Sequence, residues 1–387
     1  MEFYSLLFLL LPFAALSGWW MAVRNQRKAH SLIFSRYQKE YLAALKYLVD
    51  DQPDKAIQIF TGLVEVDKDT IELHEALGNL FRQRGEVEKA IQIHQNLITK
   101  APLQSGLRSQ AIFSLAEDYM RAGLFDRAEA LYLELLESGV YKVPSLTALI
   151  DIYERERDWT NAINFCQQLE RATDKSLKTV EAHYYCELAQ EVLNREDPTE
   201  AQKYLEQSIL CDPNCLRALI LSSELSMQMR DYAQAINMMQ LVLGRDPSLF
   251  PLVKSNLRQC YLMLNTKSAY QSYLQSLLEI SFTSPILIEI TFELESSEGT
   301  ESASNYLTDH LRKNPTLAGL SRLIELNTKL VQPAQKNDFQ ILSELIGSLS
   351  KDQPAYKCHN CGFTASYLHW QCPSCKRWNS VTPAVTK

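Results

Sequence analysis

The chain has 387 residues, 46% of them hydrophobic and 22% charged, which is enough for several cooperative units around a large core and excludes a disordered chain. Twelve glycines and fourteen prolines leave little material for Gly-rich phosphate loops or for the dense turns of a sheet sandwich, so a mainly helical fold is expected. A formal charge of −7 removes the overall cationic field that drives nonspecific binding to nucleic acid.

The first element runs from Phe3 to Val23, FYSLLFLLLPFAALSGWWMAV, without a charge. At about 1.5 Å per helical residue it spans roughly the 30 Å of a bilayer's hydrocarbon. A cleaved signal peptide carries basic residues ahead of its apolar run, whereas here Glu2 precedes the run and Arg24, Arg27, Lys28 and Arg36 follow it. Residues 1–23 are therefore expected to be a single transmembrane anchor, with Trp19 and Trp20 at headgroup level and Pro12 and Gly18 as tolerated kinks. Residues 24–36 form a basic juxtamembrane segment, and the positive-inside rule leaves the rest of the chain in the cytoplasm.

From residue 37 to 350 one short phrase recurs: DKAIQIF, EKAIQIH, DRAEALY, TNAINFC, TEAQKYL, AQAINMM, KSAYQSY and ESASNYL. Its alanines are Ala56, Ala90, Ala128, Ala162, Ala201, Ala235, Ala269 and Ala303, separated by 34, 38, 34, 39, 34, 34 and 34 residues. That is the period of the tetratricopeptide repeat, in which two antiparallel helices approach closely where a small side chain admits the partner. The cleanest copy is LHEALGNLFRQRGEVEKAIQIHQNLITKAP. Leu77 and Phe81 share a face, Gly78 makes room, Gly85 falls at the turn and Pro102 closes the unit. Ala116, Tyr119, Gly123 and Tyr132 fit the third unit, Pro213, Pro247 and Pro315 terminate the fifth, sixth and eighth, and the last two units are degenerate. About eight to nine helix pairs are expected, forming a superhelix whose groove binds peptides or helices. Met227, Met229, Met238 and Met239 are expected to fill the core.

Residues 351–387 contain YKCHNCGFTASYLHWQCPSCKRWNSVTP. Cys358, Cys361, Cys372 and Cys375 form two Cys-x-x-Cys pairs, and four thiolates so spaced close a tetrahedral metal site. The other five cysteines are scattered through helical segments, a distribution that favours a reducing compartment over a disulfide framework. Gly362 permits the turn after the first pair. His359 and His369 are surplus to a saturated shell, and Tyr356, Phe363, Tyr367, Trp370 and Trp378 supply a small core or face the helical array. The ligand set leaves zinc and iron open. Zinc is favoured because no nucleotide-binding motif accompanies the site to serve an electron carrier.

No Gly-x-Ser-x-Gly elbow, His-Glu-x-x-His helix or P-loop is present, so no catalytic residues are expected. His183, Cys186 and Glu187 in EAHYYCELAQ are the most enzyme-like trio and read better as the first helix of the fifth unit. Cys211 and Cys215 flank the Pro213 turn, where their closeness reads as a coincidence of the loop.

The order of these elements, and the stretches LLFLLLPFAALSGWWM, LGNLFRQRGEVEKAIQIHQNL, YYCELA and the rubredoxin-like YKCHNCGFTASYLHWQCPSCKRW, resemble the lipopolysaccharide assembly protein B family of Gram-negative bacteria over the whole chain. The resemblance implies an inner-membrane adaptor facing the cytoplasm that helps the membrane protease FtsH degrade the lipid A deacetylase LpxC. It also implies contacts with other lipopolysaccharide assembly proteins and a membrane regulator, and a ligand set of Cys358, Cys361, Cys372 and Cys375. A passive scaffold for lipopolysaccharide enzymes and a rubredoxin-like redox protein are the alternatives. They separate by the lifetime of the deacetylase and by the visible spectrum of bound iron.

Overall fold

The computed structural model describes residues 19–21, 68–100, 105–332, 336–351 and 354–384, with short pieces between 42 and 59. Of the expected anchor only Trp19, Trp20 and Met21 are described, helical and exposed, and the rest of it and the basic segment 24–36 lie outside the described residues. Among the described residues no helix is long and apolar enough to cross a membrane.

The chain divides into two compact units, Met1–Glu156 and Arg157–Lys387. The first contains α1 (Lys68–Gln83), α2 (Val87–Lys100), α3 (Ser105–Ala122), α4 (Phe125–Glu137) and α5 (Lys142–Glu156). The second contains α6 (Trp159–Thr173), α7 (Lys178–Leu193), α8 (Pro198–Cys211), α9 (Leu216–Gln228), α10 (Tyr232–Arg245), α11 (Phe250–Met263) and α12 (Lys267–Ile280). It continues with α13 (Ser284–Glu298), α14 (Thr300–Lys313), α15 (Leu317–Leu330) and α16 (Lys336–Lys351). A three-stranded antiparallel sheet of order β2-β1-β3 follows, built from β1 (Tyr356–Cys358), β2 (Thr364–Ala365) and β3 (Val381–Pro383).

The repeat is set by its turns. A residue in the left-handed region ends the first helix of each pair: Gly85, Gly123, Arg157, Glu196, Arg230, Asn265 and Gly299. Such a residue reverses the chain and directs it into the second helix. An aspartate next to it then caps three of those helices. Asp158 accepts from Asn161 N–H, Asp197 from Thr199 and Glu200 N–H, and Asp231 from Gln234 N–H. Five positions after the turn residue stand Ala90, Ala128, Ala162, Ala201 and Ala235, all fully buried. Ala56 and Ala303 are buried as well.

Ala269 departs from the expectation: it is exposed, and Tyr270 takes the buried place. Counting five from the turn residue Asn265 lands on Tyr270, so this pair keeps the phase of its turn and loses the small residue. Tyr270 packs on Tyr261 of α11 with ring centroids 5.3 Å apart. The methionines also divide. Met239 is fully buried and Met227 and Met238 pack partly buried on the core, but Met229, at the C-cap of α9, is 60% exposed.

Within the first unit, Ala44, Ala56, Leu77, Phe81, Ala90 and Ile93 form one cluster. Burial of each large aliphatic side chain there contributes about 1.5–3 kcal/mol. Gly78 admits the imidazole of His94, and a Cβ at that position would fall 2.4 Å from His94 Nε2. His94 Nδ1 pairs with the buried Asp118 carboxylate, which also receives Arg82 at 2.9 Å. In the second unit a continuous core runs from Leu219 through Phe250, Leu274 and Ile290 to Leu326.

Candidate metal centre and its dock on the array

The last domain brings together all four cysteines singled out by spacing. Their sulfurs lie within 4.8 Å of one another, with Cys358 to Cys375 at 3.8 Å and Cys361 to Cys372 at 3.6 Å. Four sulfurs about 2.3 Å from a tetrahedral ion are separated by roughly 3.8 Å, so two of the separations already match a zinc or iron cage and none exceeds it by more than about 1 Å.

Two matching turns build the cage. Gly362 N–H donates to Cys358 carbonyl at 2.9 Å, and Lys376 N–H donates to Cys372 carbonyl at 2.9 Å. Both turn residues have positive φ, +80° at Gly362 and 59° at Lys376. The first was expected from its glycine; the second carries a lysine and gave no signal.

Ser380 hydroxyl and the N–H groups of Cys361 and Asn360 hold the Cys358 thiol well below its ordinary pKa. The Arg377 N–H and the Asn360 side chain lower that of Cys375, whereas burial raises Cys372 to about 11. Both lowered shifts favour the thiolate, the form that binds metal. His359 is exposed, and His369 packs at a tilt of 44° against the exposed Tyr367 with centroids 4.4 Å apart.

The aromatic residues divide by destination. Tyr356 and Phe363 pack on Cys358, Cys372 and Val381 inside the domain, while Leu368 and Trp370 pack on the core of the second unit. Trp378 stacks on His183 of α7, centroids 4.7 Å apart and planes 15° from parallel, and meets Tyr184 edge-on at 6.0 Å. His183 Nε2 lies 2.9 Å from Asn379 Oδ1. Burial, reinforced by the Arg217 charge, lowers the pKa of His183 to about 4, so the imidazole is neutral and donates its Nε2 proton to the amide oxygen.

The trio His183, Cys186 and Glu187 therefore disperses. His183 holds the metal domain, Cys186 faces Cys215, and Glu187 accepts from Arg217 at 2.7 Å. Nothing local in the sequence marks His183 as a dock, because its partners lie nearly two hundred residues away.

A sequence profile of the rubredoxin metal binding domain matches residues 356–383, and tetratricopeptide repeat profiles match residues 73–106 and 113–176. Fold and site together define a tetratricopeptide-repeat protein carrying a rubredoxin-type metal-binding domain. Lipopolysaccharide assembly protein B of Escherichia coli K12 is 33% identical over 380 residues, covering 98% of each chain. Its counterpart from Haemophilus influenzae is 30% identical over 388 residues, with the same coverage. The chain belongs to the lipopolysaccharide assembly protein B family. An assembly protein made of such repeats is a non-catalytic adaptor or scaffold. Among solved structures, Naa15/Naa10 bound to HypK-THB aligns with 85% of this chain and 49% of that chain at 16% identity and a TM-score of 0.53, a likeness of fold alone.

Proposed function

We propose that this protein is an inner-membrane-anchored cytoplasmic adaptor that restrains lipopolysaccharide synthesis by promoting degradation of the deacetylase LpxC by the protease FtsH. Phe3–Val23 serves as the anchor, residues 24–36 as the basic flank, 37–350 as the binding array and 351–387 as the metal domain. Cys358, Cys361, Cys372 and Cys375 hold one metal ion, zinc in preference to iron, and the ion when bound neutralises the thiolates and fixes the two turns.

The observation that carries the reading is the dock at His183. A metal domain seated on a repeat array presents one composite binding surface, and an anchor that holds this surface beside a membrane protease raises the effective concentration of what it binds. Other lipopolysaccharide assembly proteins and a membrane regulator are its further partners.

The test is the lifetime of LpxC in cells carrying the intact protein, the Cys372→Ser/Cys375→Ser variant, or a chain lacking residues 1–23. Rapid loss with the intact protein and persistence with both variants is expected. Equal lifetimes in all three would leave the passive scaffold, whose removal disperses a complex without changing the deacetylase.

A further inference from the structure

Two thiols meet in the second unit without any part in the metal cage. Cys186 on α7 and Cys215 at the N-cap of α9 are both fully buried, with their sulfurs 3.9 Å apart. Ser208 Oγ lies 3.3 Å from the Cys186 sulfur and donates to Ala182 carbonyl at 2.7 Å, which fixes the hydroxyl beside the pair. The contact with the Cys186 sulfur and the Ala218 N–H, which donates to the Cys215 sulfur, hold the Cys215 pKa below the ordinary thiol value against the opposing effect of burial. Cys186 is shifted the opposite way, chiefly by the same contact. Cys215 adjoins the exposed Pro213–Asn214 turn and lies 3.9 Å from Cys186 on α7, so the geometry makes Cys215 the attacking sulfur and Cys186 the resolving one.

Access is local. Cys215 directly follows Pro213 and Asn214, both exposed, so opening that turn uncovers the sulfur without unfolding a helix. The half-buried Cys211 at the other end of the turn is the weaker nucleophile, its pKa pushed up to about 11 by burial and by the Glu181 carboxylate.

We infer that Cys186 and Cys215 form a peroxide-responsive thiol pair that closes to a disulfide between α7 and the start of α9. The Cys215 thiolate attacks a hydroperoxide, breaking its O–O bond to leave a sulfenic acid and an alcohol or water. The Cys186 sulfur then attacks the sulfenic sulfur, forming the S–S bond and expelling hydroxide, which leaves as water with the Cys186 proton. Two thiols and one hydroperoxide give one disulfide, one water and one alcohol or second water, and the peroxide takes up the two electrons. The sulfurs must close from 3.9 Å to about 2.05 Å, a shift of under 2 Å that displaces α7 one turn from His183.

The full, metal-loaded chain is treated with hydrogen peroxide, quenched with a maleimide in denaturant, digested and mapped by mass spectrometry. Cys260, equally buried on α11 and raised to about 11 by burial, is the internal control. The linked Cys186–Cys215 peptide is expected to form roughly tenfold faster than Cys260 is lost, and dithiothreitol should restore both thiols. In Cys186→Ala a dimedone adduct should appear at Cys215. Loss of Cys186 and Cys215 no faster than Cys260, over-oxidation of Cys215 without linkage, or no adduct in Cys186→Ala would each overturn the inference.

Discussion

Trp378 lies ring over ring on His183, and the neighbouring Asn379 accepts a hydrogen bond from the imidazole Nε2, so a single histidine on α7 is held from two directions by the metal domain. Replacing Trp378 with alanine removes the stack on His183 and the edge contact with Tyr184. The expected loss is about 3 kcal/mol, with metal content retained and the segment between Lys351 and Tyr356 becoming a protease site. Unchanged thermal midpoint and unchanged cleavage would mean that the dock is held elsewhere.

Acid should weaken the same contact. His183 titrates near 4 in the folded chain against an ordinary 6.5, so between those values the unfolded chain binds a proton that the folded chain refuses. Stability is fully present above about pH 6.5, falls as pH drops through the window by up to about 3 kcal/mol, and stops falling from this source below about 4. Denaturant midpoints measured from pH 7 to 4 for the intact chain and for His183→Gln decide it: parallel curves would remove His183 as the cause.

At Gly78 the limit is steric. A methyl group there would fall 2.4 Å from His94 Nε2, and His94 is tied to Asp118 and has nowhere to retreat. Gly78→Ala should destabilise the first unit by about 1–3 kcal/mol despite the better helix propensity of alanine. A gain in stability, read by urea titration, would show that the imidazole swings aside.

The paired turns of the cage make opposite predictions. Lys376 occupies a left-handed position without needing its side chain there, and Lys376→Gly should stabilise the domain by about 1 kcal/mol. Gly362→Ala should cost a similar amount. Competition for the metal by a chromogenic chelator orders the three proteins, and a Lys376→Gly chain that loses metal faster than the parent would contradict the account.

Where neighbours in sequence decide the structure, the sequence was readable. The buried alanines from Ala90 to Ala235 repeat because each stands five residues after its turn, and the four cysteines converge because each pair shares one turn. Ala269 misled because the repeating phrase slid by one against its turn at Asn265, placing Tyr270 inside. Met229 misled because the helix ends beneath it and the cap faces solvent. Lys376 adopts a glycine's conformation without a glycine, and the meeting of His183 with Trp378, or of Cys186 with Cys215, depends on which helices the array brings alongside. Composition and period carry no record of such encounters.

A stack of repeats in which each pair touches only its neighbours frays from its free end, one pair at a time. The second unit escapes this because its last domain folds back to α7 and ties down everything between. Helices α8 to α16 thus lie inside a loop fastened at His183, and the far end cannot peel away until that fastening breaks. Melting should then be all-or-none across the span. A chain missing its final thirty residues would differ from the whole protein less in what it has lost than in how gradually the remainder comes apart.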